Sequence, residues 1–93
     1  MDLWIRSQNK EVLSKCNCLG LEEQTGGKYL ILNYDGSEFY QYLGTYDYER
    51  ALEVLDEIQQ HIEKQGENYL LSDENGIITG QKYYGYIYQM PID

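Results

Sequence analysis

Cations are scarce in this chain. Seven lysines and arginines stand against sixteen aspartates and glutamates in 93 residues, for a formal net charge of -9 and a sequence pI near 4.4. A chain this acidic repels the phosphate backbone whose neutralisation drives nucleic-acid affinity, so direct DNA or RNA binding is not expected. Histidine occurs once, at His61, beside the apolar Ile62, where a boundary histidine is commoner than a general base. No Ser-His-Asp arrangement accompanies it, and no glycine-rich loop opens a helix to cradle a phosphate. The expectation is a protein that is not an enzyme, with no catalytic residue.

The two cysteines, Cys16 and Cys18, are too close in sequence to close a strain-free disulfide easily, and His61 is far from them. With so few ligands no metal and no cofactor is expected, and the pair reads as buried reduced thiols on one strand face. No apolar run approaches the roughly 20 residues of a membrane span. The opening Met1-Asp2-Leu3-Trp4-Ile5-Arg6 lacks a basic stretch followed by an apolar one, so the expected location is the host-cell cytosol, away from membranes.

What is abundant is tyrosine, at eleven residues, with a single Trp and a single Phe. A stiff apolar ring with a polar tip favours contact surfaces. A hydrophobic content of 42% and regular apolar patterns argue for a folded chain, and 93 residues make one domain near the lower limit for a self-sufficient core.

Residues 2 to 8 alternate, with Leu3, Ile5 and Ser7 on one face and Trp4, Arg6 and Gln8 on the other. Asn9-Lys10 supplies a turn, and Val12 to Leu21 reads as a second strand forming a hairpin with the first. Gly26-Gly27 breaks the chain before an apolar strand from Tyr29 to Tyr34. Asp35-Gly36 has tight-turn chemistry and joins it to a strand over about 38–45, where Tyr40 and Tyr42 share a face opposite Phe39, Gln41 and Leu43.

Asp47 is placed as an N-cap, and Ala51, Leu55, Ile58 and Ile62 follow at helical spacing, widened by Leu52 and Val54. The pattern predicts an amphipathic helix from Tyr48 to Gln65 that stops at Gly66. Its polar face carries Glu49, Glu53, Asp56, Gln60 and Glu63, and residues 47–67 hold seven acids against Arg50 and Lys64. A solvated face is the ordinary reading, and a docking face for a basic partner the functional one.

After the helix, residues 68–71 read as a strand edge, Ser72-Asp73-Glu74-Asn75-Gly76 as a turn, and Ile77 to Met90 as one or two strands ended by Pro91. In the last run Tyr84, Tyr86 and Tyr88 form a ladder on one face with Lys82 and Met90. The predicted fold is therefore a single α+β domain over residues 1–93. A four-stranded antiparallel N-terminal meander and a C-terminal strand or hairpin pack on one amphipathic helix.

The candidate ligand-binding residues are Trp4, Arg6, Gln8, Arg50, Tyr40, Tyr42, Tyr84, Tyr86 and Tyr88. Trp4, Arg6 and Gln8 combine a ring, a guanidinium and an amide on one strand face, and Arg6 and Arg50 are the two guanidinium groups of the chain, suited to bidentate phosphate recognition.

The segments Leu3-Trp4-Ile5-Arg6-Ser7-Gln8-Asn9-Lys10, Glu49-Arg50-Ala51-Leu52-Glu53-Val54-Leu55-Asp56-Glu57-Ile58-Gln59 and Tyr88-Gln89-Met90-Pro91 resemble a group of small, mostly uncharacterised proteins of Gram-positive bacteria and their prophages. These have an opening strand of the form LWIRSQ(D/N)K and a helix of the form ERALEVLDEI. In overall plan the chain is also similar to the Thoeris anti-defence proteins, phage sponges that trap cyclic ADP-ribose signals in pockets formed by oligomers. That resemblance implies a homo-oligomer binding a small nucleotide-like ligand, with Arg6 or Arg50 on a phosphate and tyrosines stacked on the base. Two other readings stay open: an acidic inhibitor, like an anti-CRISPR, filling the basic groove of a host protein, and a homo-oligomeric structural module.

Overall fold

The structure, a computed structural model, describes residues 3–34 and 40–93. The elements run β1 (Trp4–Arg6), β2 (Leu13–Lys15), β3 (Cys18–Glu23), a short 3-10 turn (Thr25–Gly27), β4 (Lys28–Tyr34), β5 (Tyr40–Asp47), α1 (Tyr48–Glu63), β6 (Asn68–Ser72), β7 (Ile78–Tyr83) and β8 (Ile87–Gln89). The chain is α+β, with antiparallel sheets and one helix packed against them, as its periodicities predict. The predicted turn at Asp35-Gly36 and the position of Phe39 lie outside the described residues.

The strands are arranged differently from a single meander. They form three sheets, ordered β2-β1-β8, β3-β4-β5 and β6-β7, and every pairing is antiparallel except β1 with β8, which is parallel. The expected strand from Val12 to Leu21 is divided between β2 and β3, because Asn33 on β4 captures the backbone at the break. Its Nδ2 donates to the Lys15 carbonyl at 2.7 Å and its Oδ1 accepts from the Asn17 N–H at 3.1 Å. These bonds replace the ladder that a continuous strand would have made.

Asn33 also donates to Ser14 Oγ at 2.6 Å and to Gln41 Oε1 at 3.2 Å, and the Ser14 hydroxyl donates to Gln41 as well. Ser14 is on β2, and Asn33 and Gln41 are on β4 and β5, so this buried network ties the first sheet to the second. No buried side-chain polar atom among the described residues lacks a partner, which is why the network does not penalise the core.

The core lies where the inner faces of both sheets meet α1. Leu3 and Ile5 from β1 and its approach, Ile31 from β4, Leu43 and Tyr46 from β5, Ala51, Val54 and Ile58 from the helix, and Tyr88 and Met90 from the tail form one buried cluster. Leu55 packs against it in part, while Leu52 and Ile62, expected on the apolar stripe, are exposed. On β5 the ring of Tyr46 lies across Gly44, where an added Cβ would come within 2.9 Å of it. The Tyr46 hydroxyl donates to the Pro91 carbonyl at 2.6 Å, closing the tail over the helix start.

The helix begins at Tyr48 after an extended Asp47 (φ -62, ψ 158), but the Asp47 carboxylate does not cap it. It pairs instead with Lys28 Nζ at 2.7 Å. The helix ends at Glu63, two residues before the predicted end, and the chain turns through Gly66 at φ 84, a conformation open to glycine at little cost.

Candidate functional site

The alternation of β1 buries Leu3, Ile5 and Ser7 and turns Trp4 and Arg6 to solvent. β1 is the central strand of its sheet, so both residues have neighbours on each side. Trp4 lies between Lys15 on β2 and Ile87 on β8, and Arg6 between Leu13 and Gln89. Trp4 is 41% exposed, which leaves much of a large apolar ring in water at the middle of a sheet face. The Arg6 Nε donates to the Lys10 carbonyl at 3.0 Å, orienting the guanidinium, and among the described residues no carboxylate pairs with it. Arg6 and Lys15 thus flank an exposed indole on one face, with Lys10 in the adjoining turn.

Gln8, the third member of the predicted trio, does not join them. Its Nε2 donates to the Ile92 carbonyl at 2.5 Å, and its Oε1 accepts from the Thr45 N–H at 3.0 Å, so the amide stitches β1 to β5 and the tail.

Tyr40 and Tyr42 lie on a different surface, the outer face of β3-β4-β5. Cross-strand register places Cys18, Tyr34 and Tyr40 in one row and Gly20, Leu32 and Tyr42 in the next. The Tyr34 and Tyr40 rings meet at 5.1 Å between centroids. With no side chain at Gly20, the face dips into an open groove of about 490 Å³ lined by Cys18, Leu32, Tyr34 and Tyr40 together with Leu19, Leu21 and Glu22, while Tyr42 borders a separate, smaller cavity with Gln8 and Thr45. No lysine or arginine lines it among the described residues. This groove can hold a ring but offers no counter-charge to a phosphate.

Arg50 is occupied within the protein. Its Nη1 donates to Glu53 at 3.0 Å and Glu57 at 3.2 Å, and its Nε to the Asp93 carbonyl at 3.1 Å. Burial works against its charge, but the hydrogen bonds to these two glutamates more than offset that and raise its pKa. A small cavity of about 240 Å³ beside it contains the Lys28–Asp47 pair, so cations and acids there largely cancel.

The expected ladder of Tyr84, Tyr86 and Tyr88 is broken up. β7 and β8 belong to different sheets, and the chain turns between Tyr83 and Ile87, so the period of two does not carry through. Tyr84 and Tyr88 are buried and flank the His61 ring edge-on, each at 5.0 Å, while Tyr86 is exposed beside Gly66. The Tyr88 hydroxyl donates to Glu57 Oε2 at 2.5 Å, and burial together with that carboxylate raises its pKa. Burial likewise pushes Tyr46 up to about 12. These are packing tyrosines, and His61 is a boundary residue wedged between two of them.

The cysteines differ from the expected buried pair. Cys16 is half-buried between β2 and β3, with its thiol pKa raised by burial and by Cys18, whereas Cys18 is exposed at the rim of the tyrosine groove. Both are free. Asn33, the residue that fixes the junction of the two sheets, was not singled out by its sequence context, because one asparagine in an apolar run carries no local signal.

No helix among the described residues is long and apolar enough to cross a membrane. No protein-family model, no curated protein and no solved structure matches the chain.

Proposed function

We propose that this chain is a non-enzymatic binding protein that captures a small nucleotide-like ligand, its ring stacked on Trp4 and its anionic group held by Arg6. In a phage-associated setting such a protein acts as a sponge, lowering the free concentration of a signalling molecule without transforming it. The observation that carries this reading is the exposed Trp4 on the same face of a central strand as Arg6. It is a local concentration of cation and ring in a chain of net charge -9. Stacking provides affinity with little base selectivity, and a guanidinium supplies bidentate recognition of phosphate oxygens. Tyr40 and Tyr42 have rings without a cation and Arg50 a cation without a free face, so neither is assigned to the ligand.

Because Trp4 is the only tryptophan, its fluorescence reports on the site alone. Titration with cyclic ADP-ribose, ADP-ribose and cyclic dinucleotides should change Trp4 emission at micromolar ligand and raise the melting temperature. Arg6→Ala should weaken binding by about 10- to 100-fold. Unchanged emission and melting temperature at ligand concentrations far above micromolar would overturn the reading.

A second reading, of another class, rests on α1. Glu49, Glu53, Asp56 and Glu63 are all exposed along one face of the helix, away from the core stripe of Ala51, Val54 and Ile58. An inhibitor that fills a basic groove of a host protein would use that face. Charge reversal at Glu53 and Asp56 abolishes such an activity and leaves the Trp4 response intact, so this double variant separates the two readings.

A further inference from the structure

β6 and β7 form a hairpin that stands apart from the rest of the molecule. Both strands are exposed along nearly their whole length, and neither packs substantially on another strand or on α1. The hairpin is tied down at its base, where the Tyr69 ring meets Tyr84 edge-on at 5.5 Å and Lys64 and Lys82 lie over the Tyr84 ring. A Cα radius of gyration of 15.0 Å exceeds the roughly 12 Å expected for a compact chain of this length.

The two faces of the arm differ. Register puts Tyr69 with Lys82 and Leu71 with Gly80 on the face that carries the basal contacts. The other face pairs Asn68 with Tyr83, Leu70 with Gln81 and Ser72 with Ile78. That second face contains no charged residue, although a quarter of the chain is charged. Its apolar members stand well out into water, Leu70 at 67%, Ile78 at 62% and Tyr83 at 53%. An isolated two-stranded hairpin is at best marginally stable in water, and an uncharged sheet face that exposes Leu, Ile and Tyr side chains together is one that another surface covers.

We infer that the face of the β6–β7 arm carrying Leu70, Ile78 and Tyr83 packs against the same face of a second copy of this chain about a two-fold axis. Charge decides the occupant. Copies of a chain with net charge -9 repel each other through most of their surface, and an uncharged face is where they meet without that penalty. A basic partner is drawn to the acidic helix instead, and an anionic lipid surface is opposed by Asp73 and Glu74 at the tip of the arm. A two-fold contact brings like against like, which Leu, Ile and Tyr satisfy and charged residues do not.

The full chain at high micromolar concentration should sediment and scatter light at twice its 11.0 kDa mass. The pair Leu70→Glu with Ile78→Glu should keep the wild-type circular dichroism, since both positions are exposed in the single chain, yet associate at least about 100-fold more weakly. Leu70→Lys with Ile78→Lys should do the same, and mixing the acidic and basic variants should restore a dimer containing one of each. A monomeric wild type overturns the inference, as does a dimer indifferent to these substitutions or a mixture that forms no heterodimer. A monomer that instead floats with phosphatidylcholine vesicles assigns the face to lipid and overturns it too.

Discussion

The body of this protein and its β6–β7 arm are built from the same kind of sequence, short runs rich in Leu, Ile and Tyr, yet they end in opposite environments. In the body, Ile5, Ile31, Leu43 and Ile58 are sealed against one another by α1 and two sheets. In the arm, Leu70, Leu71, Ile77 and Ile78 face water. Burial is therefore not a property of the strand pattern but of what the fold lays across it. Stability should concentrate in the body, and the arm should contribute contact surface.

Substituting the same residue type in both regions is the most direct way to break this comparison. Ile58→Ala, at a position 1% exposed, should cost about 3 kcal/mol in denaturant unfolding, through lost burial and the cavity left behind. A cost below about 1 kcal/mol would mean that the helix–sheet interface is not the stabilising core.

Asn33→Leu comes next, at about 2–3 kcal/mol, because it leaves the Asn17 N–H and the Ser14 and Gln41 side chains short of a partner. A neutral outcome in chemical denaturation would show that the β2–β3 break does not depend on this network.

Alkaline unfolding sharpens the same contrast. Tyr46 is held protonated by burial up to about pH 12 in the folded state, against about 10 when unfolded, so between these values the folded state binds more protons. The stability this provides is fully present below about pH 10 and is lost as pH rises toward 12, on the order of 2 kcal/mol. The raised pKa of buried Tyr88 acts in the same direction. Tyr46→Phe should flatten this part of the pH–stability curve.

Smallest is Ile78→Ala in the arm, measured at concentrations where the chain is monomeric, which should stay within about 0.5 kcal/mol of wild type. Amide exchange should agree, with arm amides exchanging far faster than those of β4 and α1.

Legibility in the sequence followed the range of the interactions involved. The helix was readable because Ala51, Leu55, Ile58 and Ile62 recur at its own period and Gly66 ends it with a positive φ, all within one segment, although the buried side is centred on Ala51, Val54 and Ile58 and leaves Ile62 exposed. The β1 alternation was readable for the same reason, and it led to the exposed Trp4–Arg6 pair. Gln8 shares that local pattern, but its amide is claimed by Thr45 and Ile92, 37 and 84 residues away. The tyrosine ladder failed similarly: a period of two is visible at Tyr84, Tyr86 and Tyr88, while the switch of sheets between β7 and β8 is not.

By itself, then, the sequence determined the α+β class, the helix and its acidic face, the alternation of β1 and the scarcity of cations, because each arises from residues a few positions apart or from composition alone. Only the tertiary structure decided where Asn33 would interrupt a strand, which tyrosines would be buried around His61 and that β8 would run parallel to β1. It also left the Leu70–Ile78 face uncovered. These outcomes depend on which distant segment reaches a given backbone group or apolar face first, and no local period encodes that.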